Sequence, residues 1–229
     1  MTRWTRLLSL LLAAACSGLD EGEGGVVAIE VETPESQTLE VGEQVQLVAR
    51  ALDVNGEVLE VPLEWQSSSD AVTVDGTGLV TGVQPGIADV QAMSGTLPSS
   101  PVTFTVQARA DTIIISGDSV VTLPIDADPP PTAPLTVRVE TFSPPGPVSG
   151  ARVIFQITSP VAGATAVVQL GGGVQSDTIT TATDGTARVD IGAVSGQVPP
   201  DTAIVQVQAE RLGGEVVPGS GQRFIVLFQ

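Results

Sequence analysis

Side chains that attack a substrate, relay a proton or grip a metal come from a short list, and this sequence leaves out most of it. Its 229 residues include no histidine. That removes the Ser-His-Asp and Cys-His relays and the histidine-rich zinc sites. All nine basic residues are arginine, so there is no lysine to form a Schiff base or to reach a phosphate from a glycine-rich loop. What remains is 26 carboxylates and one cysteine, Cys16. Two acids facing each other across an apolar cleft could hydrolyse a glycoside, but no spacing in the chain sets up such a pair. Asp111, Asp118, Asp126, Asp128 and Asp184 could lend oxygens to calcium at a junction between modules or at loop ends. Solvated turn acids are the competing reading, and the one expected. Asp53-Val54-Asn55-Gly56-Glu57 has the oxygen-rich look of a calcium loop, yet no glutamate follows at the spacing an EF-hand needs, and Asn-Gly is the preferred pair of a tight turn. The sequence therefore argues against an enzyme, and it assigns no catalytic residue, no cofactor and no metal ligand.

Cys16 sits at the end of a recognisable address. Arg3 and Arg6 form a positive start, Leu7-Leu8-Ser9-Leu10-Leu11-Leu12 an apolar stretch, and Ala13-Ala14-Ala15 the small residues that a signal peptidase needs. The apolar stretch is far shorter than the roughly 20 residues that cross a bilayer. Residues 17–25, with three acids and four glycines, could not extend it and read as a flexible tether. Ala13-Ala14-Ala15-Cys16 resembles the lipobox of bacterial lipoproteins, although leucine is commoner than alanine at the place of Ala13. The resemblance implies that residues 1–15 are removed as a signal peptide and that Cys16 becomes the lipidated first residue, so that acyl chains tie the protein to a membrane. Ser17 follows the cysteine where lipoproteins of the inner membrane often carry aspartate. By that resemblance the expected address is the outer membrane or the cell surface.

The remaining composition is that of strands. Val and Thr are abundant, Gly and Pro punctuate them, and the mean hydropathy of +0.30 supplies material for packed cores. With a single cysteine no internal disulfide can form, so aliphatic packing must hold the fold. The net charge of −17 repels phosphate backbones and excludes nucleic acid as a partner.

Residues 26–108 read as a first module. Short strands are expected at 27–31, at 45–51 as one longer strand, at 61–65 with Trp65 filling a core, and at 71–74, 78–83, 87–92 and 102–106. Leu39-Glu40-Val41-Gly42, Leu63-Glu64-Trp65-Gln66-Ser67-Ser68-Ser69-Asp70 and Gly78-Leu79-Val80-Thr81-Gly82-Val83-Gln84-Pro85-Gly86 together resemble the bacterial Ig-like domain of group 2.

Residues 109–229 read as a second module. Strands are expected at 112–116, 135–140, 151–157, 178–183, 203–209 and 224–228. Asp126-Ala127-Asp128-Pro129-Pro130-Pro131 is expected to be an exposed loop, because prolines remove ladder donors. Gly171-Gly172-Gly173 reads as a hairpin turn. Pro147-Val148-Ser149-Gly150-Ala151-Arg152-Val153-Ile154-Phe155 and Thr183-Asp184-Gly185-Thr186-Ala187 resemble the group 1 Ig-like domain of invasins and intimins. That resemblance implies a spacer. The last residues read as a strand, so no separate binding tip is expected.

The fold class is thus all-β, two tandem immunoglobulin-like sandwiches after a lipoprotein signal peptide. The function expected is that of a structural or adhesive element of the cell envelope, with an unidentified protein or glycan partner. The alternatives are a calcium-dependent binding module and an accessory subunit of a periplasmic complex.

Overall fold

The computed structural model describes residues 25–161 and 166–229. The signal sequence, Cys16 and the tether up to residue 24 lie outside the described residues, and so does the expectation of lipidation. No helix occurs among the described residues, and the chain folds into β-sandwiches.

The first sandwich is built from eleven strands: β1 (Ala28–Val31), β2 (Thr38–Glu40), β3 (Gln44–Gln46), β4 (Ala49–Leu52), β5 (Val58–Leu59), β6 (Glu64–Ser67), β7 (Val72–Val74), β8 (Leu79–Gly82), β9 (Gly86–Ser94), β10 (Leu97–Pro98) and β11 (Val102–Gln107). One layer holds β9 at its centre, with β6 on one side and β10 and β11 on the other, and β2 follows outside β11. The facing strands form two smaller sheets, β1-β4-β5 and β3-β8-β7. The period-2 pattern shows why: in β11, Val102, Phe104 and Val106 are buried while Thr103 and Thr105 face solvent.

The second sandwich uses β12 (Thr112–Ile115), β13 (Val120–Leu123), β14 (Thr132–Phe142), β15 (Pro145–Pro147), β16 (Arg152–Ser159), β17 (Val168–Leu170), β18 (Ser176–Thr180), β19 (Thr186–Ala193), β20 (Thr202–Glu210) and β21 (Arg223–Phe228). One sheet runs β12-β14-β19-β17, with β15 beside β14, and the other runs β13-β21-β20-β16-β18. Each sandwich divides its opening segment in the same way. The first strand pairs antiparallel in one layer (β1 with β4, β12 with β14), and the next crosses to lie parallel to the last strand in the other (β2 with β11, β13 with β21).

Two apolar clusters fill the interiors. One is drawn from Leu39 to Val106 around Phe104, the other from Ala110 to Phe228 around Phe155 and Phe224. Each fully buried phenylalanine contributes roughly 1.5–3 kcal/mol through lost water contact.

Three details differ from the sequence reading. The strand expected at 45–51 is broken. Leu47 turns into the core and gives its N–H to Gly78 O, and the Val48 carbonyl accepts from Glu32 N, so β3 and β4 join different sheets. Gly171-Gly172-Gly173 does make a tight turn, with Gly173 N donating to Leu170 O, but β17 and β18 on either side belong to opposite sheets. The turn is therefore a crossover and not a hairpin within one sheet. Finally, β14 begins at Thr132 and contains Pro134. Pro134 pairs only with β19 at Asp190, beyond the reach of β12, so its missing N–H costs no ladder bond. The Asp126–Pro131 segment ahead of it forms no strand, as expected.

Candidate functional site

The polar residues that the fold draws together lie where the two sandwiches meet. Glu40 ends β2, in the layer that packs Leu39 and Val106. It is only 5% exposed, and one of its carboxylate oxygens accepts a hydrogen bond from the backbone N–H of Leu212 at 3.1 Å. Leu212 belongs to the loop between β20 and β21, and this loop reaches from the second sandwich to the first. Its conformation is set locally. Arg211 N donates to Glu215 O and Gly214 N to Arg211 O, which closes a tight hairpin through Gly213-Gly214.

Arg211 holds the other side of the joint. Its Nε donates to the Ala110 carbonyl at 2.9 Å, and its Nη1 pairs with Glu215 at 2.9 Å. Its Nη2 lies 3.8 Å from Asp111 Oδ1, which also faces Arg109 Nε at 3.3 Å. The second oxygen of Asp111 accepts from Phe142 N at 2.8 Å and Thr141 Oγ1 at 3.2 Å. The chain is held on either side of the short linker, Gln107 O at the end of β11 accepting from Val41 N in the first sandwich and Asp111 N donating to Glu140 O in the second.

Burial pushes the Glu40 carboxyl above its ordinary range. The Leu212 amide opposes that shift, nearby Glu43 adds to it, and Arg211 and Arg109 oppose it. Glu43 is close enough for its own carboxylate to accept from Glu40 N at 2.7 Å. The site is thus a buried acid of the first sandwich that accepts an amide from the second, with Arg211 and Arg109 favouring its charge.

The acids considered for calcium are placed differently. Asp111 is committed to arginines and amides at the joint. Asp184 accepts from Thr186 N and Oγ1 within its own turn, and those hydrogen bonds hold its carboxyl below the ordinary range. Asp118 precedes β13, while Asp126 and Asp128 follow it, on exposed loops. Among the described residues no three acidic or thiol side chains converge as a metal site would require. Asp53 folds its own turn by accepting from Asn55 N and Glu57 N, both at 2.8 Å. Trp65 is half-buried against the first core, its ring packed over Gly78. Sequence reasoning missed the joint residues Glu40, Arg211 and Leu212. The Gly213-Gly214 pair flanked by Arg211 and Glu215 signals a turn, but nothing local signals what the turn touches.

Comparison with known proteins fits this architecture. The bacterial Ig-like domain (group 2) family matches residues 26–106, the first sandwich. No curated protein matches the chain. Among solved structures, the Escherichia coli adhesin FdeC is similar at 14% identity and a TM-score of 0.55, covering 88% of this chain and 64% of FdeC. The Yersinia pseudotuberculosis adhesin InvE aligns at 16% identity and a TM-score of 0.47, covering 91% of this chain and 61% of InvE. The chain thus spans less than two thirds of either adhesin structure, and at these identities the likeness to FdeC is one of fold.

Proposed function

We propose that this chain is a non-enzymatic element of the bacterial cell envelope, fastened by a lipid on Cys16 and extended by two Ig-like modules, residues 26–108 and 109–229, that act as one stiff spacer or adhesive stalk. The observation that carries the reading is the joint. A spacer that only linked two modules would need no buried acid, whereas here Glu40 and Arg211 bind the second module to the first and to the linker. The first sandwich is of a bacterial Ig-like family, and an adhesin from Escherichia coli shares the fold, which supports a place at the cell surface. The second module is proposed to be of the invasin and intimin type. The motifs that suggest this fall in β15, β16 and the turn before β19. The same residue inventory, which lacks histidine and lysine, supports a binding or mechanical role over catalysis.

The test is fractionation of cells expressing wild type beside Cys16→Ala, with protease added to intact cells. Membrane-bound, protease-accessible wild type and a soluble mutant are expected. A mutant that stays with the membrane would remove the lipid anchor, and a protected wild type would remove surface display.

A further inference from the structure

We propose that the free edge of β6 is a docking site for an extended, basic polypeptide strand, which adds to the sheet beside Trp65. This inference does not depend on the lipid anchor.

The edge is open in a specific sense. β6 pairs only with β9, in the register Glu64↔Met93 to Ser67↔Val90. Ser68 N donates to Asp89 O at 2.9 Å, while Ala92 turns its N–H to Ser99 Oγ and its carbonyl to Ser99 N, on the opposite side of β9. Alternation along an antiparallel ladder then directs the N–H and C=O of Trp65 and Ser67 outward, away from β9. Among the described residues no backbone or side-chain group takes them up.

Below this edge lies a groove, opened where β3 and β4 part at Leu47 and Val48, and lined by Val48, Val61, Leu63 and the half-buried ring of Trp65. Val48 is 46% exposed and Val61 36%. A strand laid on the edge would receive main-chain hydrogen bonds from Trp65 and Ser67, and its alternate side chains would enter the groove. The edge of β18 is handled differently. There Asp177, on the face that turns inward, is a charge that discourages such pairing.

Charge selects the occupant. Residues 26–106 hold twelve acids and one base, Arg50, and the exposed Glu60 and Glu64 adjoin the groove residues Val61, Leu63 and Trp65 along the chain. Residues 109–229 hold eleven acids against six arginines. A second copy of so acidic a module would be repelled, whereas a strand alternating basic and aliphatic residues satisfies the edge, the groove and the field together.

The test uses the full chain carrying Trp4→Phe, which leaves Trp65 as the only tryptophan. The probe is a nine-residue peptide alternating lysine and valine, with blocked ends. Expected are a change in Trp65 emission that saturates with peptide, slower hydrogen exchange at the Trp65 and Ser67 amides, and at least tenfold weaker binding by Ser67→Pro. That substitution removes the outward N–H, along with the Ser67 Oγ bond to Ser69 O at 2.8 Å, and spares the β9 ladder. A lysine-valine peptide interrupted by a central proline checks the same point without altering the protein. Equal binding by Ser67→Pro or by the interrupted peptide would reduce the effect to charge alone and overturn the proposal. So would equal binding of a glutamate-valine peptide, no response at millimolar peptide, or sedimentation showing that copies pair through this edge.

Discussion

The carboxylate of Glu40 and the backbone amide of Leu212 are 172 residues apart in sequence and 3.1 Å apart in space, and this contact ties one sandwich to the other. The amide comes from a loop whose own hydrogen bonds fix its shape, so the bond constrains the angle between modules as well as their distance. It also places an acid where ionisation is costly.

That cost gives a pH dependence. Burial raises the carboxyl of Glu40 above its usual 4.5, against the opposing Leu212 amide. An acid whose folded value is raised stabilises the fold below its unfolded value, and the stabilisation is lost as pH rises through the folded value. Glu40→Gln keeps an oxygen for Leu212 and carries no charge. It is expected to melt above wild type at pH 7, with the gap narrowing as the pH falls and the wild-type carboxyl takes up its proton. Asp53, Asp75 and Asp184 have lowered values and act in the opposite sense, but only as pH falls below about 3.8, and they do so equally in both proteins. Thermal melts of the two proteins across pH 4–7 measure this, and a gap that does not vary with pH would refute it.

Arg211 serves the same joint from the other side. Arg211→Ala leaves the buried Ala110 carbonyl without its donor, at a cost of about 1–3 kcal/mol, while Asp111 keeps Arg109 and the Phe142 amide. The bond after Arg109 lies within the joint, so trypsin reports on its closure. Faster cleavage there is expected in Arg211→Ala, giving one fragment that ends at Arg109 and one that begins at Ala110, while cleavage after Arg188 within β19 stays at the wild-type rate.

Strands such as β11 were legible because each buried residue alternates with a threonine. The joint was not legible. Glu40 stands in Leu39-Glu40-Val41, where an acid between two aliphatic residues reads as the solvent side of a strand, and only the loop from 172 residues away reveals that it is covered. β2 and β13 escaped notice because three or four residues show little period, and because their partners are the distant last strands of each sandwich. The break at Leu47-Val48 was hidden by an apolar run that continues smoothly across it. Trp65 was expected in the core, and its ring does pack there, but the open edge of its strand depends on the absence of a neighbour, which no local pattern records.

Gly78 tests how closely Trp65 is packed. Its φ is +85°, and a Cβ there would stand 2.8 Å from Leu47 O and 2.9 Å from the Trp65 ring. Gly78→Ala combines left-handed strain of about 1–2 kcal/mol with overpacking of about 1–3 kcal/mol. Gly56 has nearly the same φ, +82°, with nothing within 4 Å of its would-be Cβ, so Gly56→Ala carries the strain alone. Denaturant titration followed by Trp65 emission is expected to show Gly78→Ala as clearly the less stable of the two.

Ser99 shows how the same sheet accommodates an irregularity. It lies between β10 and β11, 4% exposed, and its N–H donates to Ala92 O at 2.8 Å. Its hydroxyl accepts from Ala92 N at 3.0 Å and donates to Ser100 O at 2.9 Å, standing in for a backbone carbonyl that the ladder lacks at this point. Ser99→Ala removes that acceptor and leaves the N–H of fully buried Ala92 without a partner, at a cost of about 1–3 kcal/mol. Ser99→Thr keeps the hydroxyl and is expected to lose less. Because the deficit is local, the Ala92 amide should exchange faster in Ser99→Ala, while amides of the second sandwich such as Val207 stay as protected as in wild type. Uniformly faster exchange across both sandwiches would show instead that Ser99 acts on global stability and not on the ladder beside it.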